Sequence, residues 1–276
     1  MIVGVDAGNY EVKVVNPRGY DRFPSDLGEY RERNLEQHFS EDDMIVEYEG
    51  KRYFAGTLAK YESEFGGRMM GDSKAHQDCK LRVLIALHRM GFDTYRLVVG
   101  QPISRHTKVE KEKIKQMLIG YHSLSINGKK TGFLVQKAEV AAEGGSAFWS
   151  QVQNGLVRII DVGSSTVNCA TLNDKRYVDK DSFSLMIGMN TTKTQDGWAL
   201  ARHIVTEAGR KWGKEDVVKI VGGAASALLP HIREYFPRAD VIQPLVAGKY
   251  LPPVFGNAAG FFRIGVSLYD YQVRCL

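Results

Sequence analysis

Two segments far apart in the chain repeat one pattern, and that repeat constrains the fold more than any other feature. Residues 2–15, IVGVDAGNYEVKVV, set Val3 and Val5 before Asp6 and Gly8, then resume an apolar alternation at Val12, Val14 and Val15. Residues 157–170, VRIIDVGSSTVNCA, do the same with Ile159, Ile160, Asp161, Gly163 and Val167. In register both read D-x-G-x-x-x-V-[KN], with Asp6 over Asp161, Gly8 over Gly163 and Lys13 over Asn168. β-Branched runs on either side of a glycine predict strand, tight turn, strand, because glycine tolerates the close backbone approach of such a turn. One copy alone would be an ordinary hairpin. Two matching copies predict two halves built on one plan.

Length and composition narrow the class. A chain of 276 residues, 43% hydrophobic and 25% charged, is expected to fold as one or two globular domains with a sizeable core. No apolar stretch approaches the roughly 20 residues of a membrane span, and the first apolar run breaks at Asp6, so neither a spanning helix nor a secretory signal is expected. Cys79, Cys169 and Cys275 are odd in number and widely spaced, which suits neither a disulfide framework nor a CxxC metal site and points to a reducing cytoplasm. The net charge of +5 allows weak attraction to polyanions. Zinc-finger spacing and a basic heptad segment are both missing, and basic residues alternate with acids, so KVEKEKIKQ at 108–116 reads as a solvated helix face.

Between and after the hairpins, periodicity predicts alternating strands and helices. YRLVVGQP at 95–102 reads as a buried strand, followed by a helix that Thr107 and Glu110 cap and that Ile114, Met117 and Leu118 stripe. Residues 74–90 read as a helix with Leu81, Leu84, Ile85 and His88 on one face, His88 as a core-edge side chain rather than a ligand. Strands near 176–187 lead to a helix over 196–212, capped by Asp196, with Trp198, Ala201, Val205, Ala208 and Trp212 on its core face. A strand then ends in Gly222-Gly223 with a helix immediately after, either a tight turn or a place where backbone approaches a ligand. The stretch 254–273 reads as a returning helix with small residues for close packing. Residues 21–73, charged and less regular, read as a peripheral insertion with a hairpin around Gly50.

Two such hairpins facing each other would present backbone N–H groups and two carboxylates to one cleft, an arrangement suited to a nucleoside triphosphate. Gly8, Gly163 and Ser164 leave room for phosphate, and Lys13 supplies a compact positive charge. Asp6 and Asp161 would hold Mg²⁺ largely through its waters, as this reluctantly dehydrated cation prefers. The Gly222-Gly223 turn would lie against adenosine. No GxxxxGK[ST] segment is present, which excludes the P-loop route to the same ligand.

These residues resemble the actin-like ATPase superfamily, which includes actin, DnaK-type chaperones and sugar kinases. IVGVDAGNYEVKVV is similar to its first phosphate loop, AEVAAEGGSAF at 138–148 to its first connector and RIIDVGSSTVNC to its second phosphate loop. KIVGGAASALL is similar to its adenosine motif and FGNAAGFF to its second connector. All five stand in the family's order. FGNAAGFF is also similar to the A-N-x-x-G-F/Y pattern of plasmid-segregation actins of the ParM/StbA type, departing from it at Phe255-Gly256, and LVVGQP and YFAGTLA at 53–59 resemble them too. The short stretch from Gly188 to Gly222, where longer relatives insert an outer subdomain, resembles the AlfA-like variant.

The resemblance implies an α/β, ribonuclease H-like fold of two lobes around a nucleotide cleft, the second lobe lacking its outer subdomain. Residues 1–146 would form the first lobe, 147–250 the second, and 251–276 would return to the first. It implies an ATPase that polymerises with Mg·ATP and drives DNA segregation, with ATP/ADP and Mg²⁺ as cofactors. Its partners would be further copies of itself and a small DNA-binding adaptor at a centromere-like site, with no direct sequence-specific DNA binding and no membrane. The nucleotide would meet Asp6, Gly8, Asn9 and Lys13 on one side, Gly163, Ser164, Ser165 and Thr166 on the other, and Gly222, Gly223 and Ala224 at the adenosine end. Asp6 and Asp161 would face the metal, Asp161 also acting in catalysis. Glu139 would position the attacking water, with Glu143 its rival. A small-molecule kinase on the same fold is the alternative, although no acceptor signature is present; a chaperone-like switch with a client-binding domain is not expected from the few residues after the second connector.

Overall fold

Each half of the molecule grows from one of the two hairpins. The computed structural model describes residues 1–35, 37–67, 73–192 and 196–270. The N-terminal hairpin is β1 (Ile2–Ala7) and β2 (Glu11–Asn16), extended by β3 (Gly19–Pro24). There follow β4 (Leu27–Glu29), β5 (Asp43–Tyr48), β6 (Lys51–Gly56), α1 (Thr57–Glu62), α2 (Gln77–Met90) and β7 (Thr94–Gln101). Helix α3 (Lys108–Leu118), β8 (Gly120–Ile126) and β9 (Lys129–Ala142) complete this half. Its nine strands run β3-β2-β1-β7-β9-β8-β5-β6-β4, with β1, β7 and β9 parallel at the centre.

The second hairpin starts a second sheet. Strands β10 (Leu156–Val162) and β11 (Val167–Asn173) pair antiparallel, and β12 (Arg176–Tyr177) and β13 (Phe183–Leu185) add to β11. Helix α4 (Gly197–Ala208) leads to β14 (Val217–Gly222), α5 (Ala225–Arg233) and β15 (Ala239–Val241), with β14 parallel to β10. The two hairpins agree in register as well as in sequence: Asp6 lies opposite Lys13, and Asp161 opposite Asn168. Each first strand also has a parallel neighbour on its other side, β7 for β1 and β14 for β10.

Apolar faces fill in around this plan. Val3, Val5, Leu84, Ile85 and Leu97 belong to the core of the first sheet, while Ile160, Ile220, Ile204 and Leu228 belong to that of the second. Thr107 accepts from the Glu110 N–H at 3.2 Å, and Asp196 from the Trp198 N–H at 2.9 Å, so both N-caps form. The Glu110 carboxylate, however, bonds Ser73 and Lys113, and the Thr107 N–H donates to the Arg105 carbonyl at 2.7 Å, which leaves the capping box open. His88 is buried at the core's edge, its Nε2 2.9 Å from the Lys129 carbonyl.

The last helix, α6 (Gly256–Tyr269), ties the halves together. A Cβ at Gly4 of β1 would strike the Ala258 carbonyl, one at Gly260 the Ser146 carbonyl, and one at Gly256 the Val221 side chain. Small residues thus let one helix touch the first sheet, the turn at 145–150 and the second sheet at once.

Two expectations are corrected. Residues 21–73 are not an outgrowth: β5 pairs with β8, so β5, β6 and β4 continue the first sheet to its edge, while β3 forms the opposite edge. Trp198 is not core. It sits in the first turn of α4 ahead of the stripe Leu200, Ala201, Ile204, Val205 and Ala208, and is 48% exposed, with Arg202 stacked 5.3 Å over its ring. Trp212, just past the helix, is buried and donates to the Asp181 carbonyl at 2.9 Å. Cys275 and the end of the 254–273 segment lie outside the described residues. Among the described residues no helix is long and apolar enough to cross a membrane.

Candidate functional site between the sheets

In open α/β sheets the carboxyl ends of parallel strands are where a ligand crevice forms. Here β1, β10 and β14 direct those ends, and β9 the residue after its own, into one cleft of about 830 Å³. Asp6 is the second-last residue of β1 and Asp161 the second-last of β10, and both line the cleft. So do Gly8, Asn9, Lys13, Gly163, Ser164, Ser165, Thr166, Gly222, Gly223 and Ala224. The structure brings all of these expected residues together.

Each turn is braced from behind. Ser25 donates from its hydroxyl to the Gly8 carbonyl at 2.5 Å, and its N–H donates to the Tyr10 carbonyl at 3.0 Å. Across the cleft, the N–H groups of Met189 and Asn190 donate to the carbonyls of Gly163 and Ser164 at 3.2 and 2.8 Å. Gly222 has φ +107°, and a Cβ there would meet the Val162 carbonyl, so only glycine lets β14 turn this closely over β10.

Glu139 is not part of the cleft. It lies within β9 opposite Val98, and its carboxylate pairs with Lys115 of α3 at 2.7 Å with the side chain 43% exposed. Four residues along a strand amount to roughly 13 Å, so Glu139 and the strand's end cannot serve one point. Glu143, one residue beyond β9, is the buried carboxylate that lines the cleft. Its N–H donates to the Gln101 carbonyl at 3.0 Å.

Two buried residues bonded to the cleft carboxylates escaped the sequence reading. Lys74 is buried, with its Nζ on the Glu143 carboxylate and 3.6 Å from Asp6 Oδ1, while its backbone N–H donates to Gln101 Oε1 at 3.1 Å. Asn257 of α6 donates from Nδ2 to Asp161 Oδ2 at 2.9 Å and accepts from the Gly144 N–H at 3.0 Å. A signal for Asn257 was available: it is a lone amide among the small apolar residues of FGNAAGFF. Lys74 had none, since it stands on irregular chain just before α2.

The carboxyls of Asp6, Asp161 and Glu143 and the ammonium groups of Lys13 and Lys74 therefore meet in the cleft, whose lining also carries Glu11 and Arg22, paired at 3.7 Å. Lys13 Nζ is 3.8 Å from Asp6 Oδ2. Burial pushes Asp161 up to about 7, a rise that the Asn257 hydrogen bond opposes and the neighbouring Asp6 and Glu143 charges reinforce. Burial alone would lower the Lys74 pKa, but Glu143 and Asp6 more than reverse this and hold the ammonium charged. Among the described residues no group of three or more His, Cys, Asp or Glu side chains could hold a metal by itself. Asp6 and Asp161 both line the cleft, so a cation held there would need water or ligand oxygens for most of its coordination.

Paired hairpins on two sheets, a crevice at their strand ends and a small-residue helix bridging the halves define the actin-like fold. The chain belongs to that family: the family model described as the N-terminal domain of actin-like proteins matches residues 4–145. Among solved structures, a filament of AlfA bound to AMPPNP is similar over 99% of this chain and 97% of that one, at 21% identity and a TM-score of 0.74. AlfA from a B. subtilis plasmid, also a filament, matches over 97% and 98% at 22% identity and a TM-score of 0.77. A 15-stranded ParM filament from Clostridium botulinum matches over 96% and 99% at 18% identity and a TM-score of 0.76. No curated protein matches the sequence.

Proposed function

We propose that this chain is an ATPase that binds Mg·ATP between its two aspartate hairpins, assembles into filaments and uses assembly to separate copies of DNA. The observation that carries the reading is the convergence of Asp6 and Asp161, from equivalent positions of two hairpins, on one cleft that also holds Lys13 and the Gly222–Ala224 turn. Support for nucleotide and for polymer comes from the AMPPNP-bound AlfA filament and the ParM filament, which share the fold.

In this reading Lys13 and the backbone of residues 8–9 and 163–166 bind the phosphates, and Gly222, Gly223 and Ala224 face the adenosine. Asp6 and Asp161 would hold Mg²⁺, which when bound supplies positive charge to the phosphate oxygens. Burial holds the Asp161 carboxyl above the usual carboxylate range, and Mg²⁺, when bound, would favour its ionised form. Glu143 orients the attacking water and Asp161 assists. The partners are other copies of this chain, plus a small DNA-binding adaptor that brings the DNA.

Sedimentation tests the reading. With Mg·ATP or Mg·AMPPNP the protein should pellet above a critical concentration and release phosphate once polymerised. A protein that stays soluble at all concentrations and consumes ATP only when a small hydroxyl compound is added would be a kinase instead.

A further inference from the structure

A buried lysine facing two carboxylates in a cleft for a polyanion is a conflict of charge that ligand binding must resolve. Lys74 is 6% exposed and Glu143 8%, and water competes little with their pairing. Asp6 stands on the other side of the same ammonium, 3.6 Å away, and is shared with Lys13 at 3.8 Å. Gln101 fixes both partners, accepting from the Lys74 N–H through its side chain and from the Glu143 N–H through its carbonyl. The backbones are thus held while the long lysine stem keeps its freedom to swing, as a point charge on four methylenes can.

We infer that Lys74 is a positioning residue that senses the terminal phosphate: it neutralises Glu143 while the cleft is empty and transfers its ammonium to the phosphate chain of a nucleoside triphosphate. The transfer leaves Glu143 without its partner beside the terminal phosphate, where it accepts a hydrogen bond from water. Site occupancy and readiness to hydrolyse are then one event, and a diphosphate, which offers less charge at that end, leaves the Lys74–Glu143 pair closed. This deepens the proposed function and rests on the cleft's being a nucleotide site.

The pairing competes with the ligand, so binding measured by calorimetry reports it. With Mg²⁺ present and protein kept below its assembly concentration, AMPPNP and ADP are titrated into the wild type, Glu143→Gln, Lys74→Met and the double variant. Glu143→Gln should bind AMPPNP several-fold more tightly than wild type, because Lys74 no longer has to leave a carboxylate. Lys74→Met should lose about tenfold or more in AMPPNP affinity and much less in ADP affinity, the scale of one charge-assisted contact. Lys74→Met alone leaves buried carboxylates unpaired and can fail to fold; the double variant removes both charges, and should fold yet lack the wild-type preference for AMPPNP over ADP.

Wild-type preference retained in the double variant would make Lys74 a structural counter-ion only and overturn the inference. Unchanged or weaker AMPPNP binding by Glu143→Gln would do the same. Failure of the wild type to bind either nucleotide would instead remove the nucleotide reading beneath it.

Discussion

Asn257 reaches from α6 to place its amide nitrogen 2.9 Å from the Asp161 carboxylate, while its amide oxygen receives the Gly144 N–H at 3.0 Å. One side chain of the C-terminal helix thereby fixes the second hairpin's acid relative to the chain leaving the first sheet. Asn257→Leu should remove both bonds and leave Asp161 and the Gly144 N–H unsatisfied. Denaturant unfolding of the ligand-free protein should show a loss of about 1–3 kcal/mol. An unchanged midpoint would mean that water replaces the amide and that α6 does not set the geometry of the cleft.

Glu139 and Glu143 separate the two accounts of water positioning. Glu139→Ala removes only a half-exposed pair with Lys115 and should leave the rate of phosphate release within about twofold, as exposed pairs contribute little. Glu143→Gln should lower that rate by about a hundredfold or more while nucleotide still binds, the range expected for losing a positioned general base. Steady-state phosphate release by both variants decides this, and a slow Glu139→Ala enzyme would reverse the assignment.

Gly260 stands against the Ser146 carbonyl, and neither the helix nor the turn opposite can yield locally. Gly260→Ala should therefore destabilise the protein by about 1–3 kcal/mol despite its gain in helix propensity. Thermal unfolding of the variant beside Gly265→Ala, whose Cβ would have side-chain atoms of Ile2, Val98 and Tyr269 as its nearest neighbours, provides the control. Equal melting temperatures for the two would contradict close packing at Ser146.

His122 gives a pH signature. Its Nε2 lies 2.8 Å from the Leu118 carbonyl and its Nδ1 3.4 Å from the Tyr48 hydroxyl, an arrangement that satisfies the neutral ring, and burial lowers its pKa. A base with a lowered folded-state pKa stabilises the fold above its unfolded value of about 6.5 and loses that contribution as pH falls through the folded value. The melting-temperature advantage of wild type over His122→Gln should thus be larger at pH 7.5 than at pH 5.5. A constant or growing advantage at low pH would show that His122 is protonated in the folded state.

The hairpins were legible because their information is local. β-Branched alternation around D-x-G defines strand, turn and strand within a dozen residues, and opposite register then puts Lys13 beside Asp6 without further help. The same holds for Gly222, whose positive φ is a backbone demand. Glu139 failed for want of a boundary: whether a strand stops before or after four more residues is not encoded in its alternation, and only the end of β9 faces the cleft. Lys74 failed for a different reason. Its position depends on Gln101 and Glu143, far along the chain, so no local pattern marks it. Trp198 misled because size and apolarity suggested burial, whereas the first turn of α4 precedes the core stripe.

Calorimetric titration of Mg·AMPPNP into the wild type, Asp6→Asn and Asp161→Asn shows whether both hairpins grip one nucleotide. One nucleotide per chain should bind to the wild type, and each single variant, though folded, should lose at least about tenfold in affinity. Wild-type affinity in either variant would show that one hairpin alone suffices and that the cleft is not a two-sided nucleotide site.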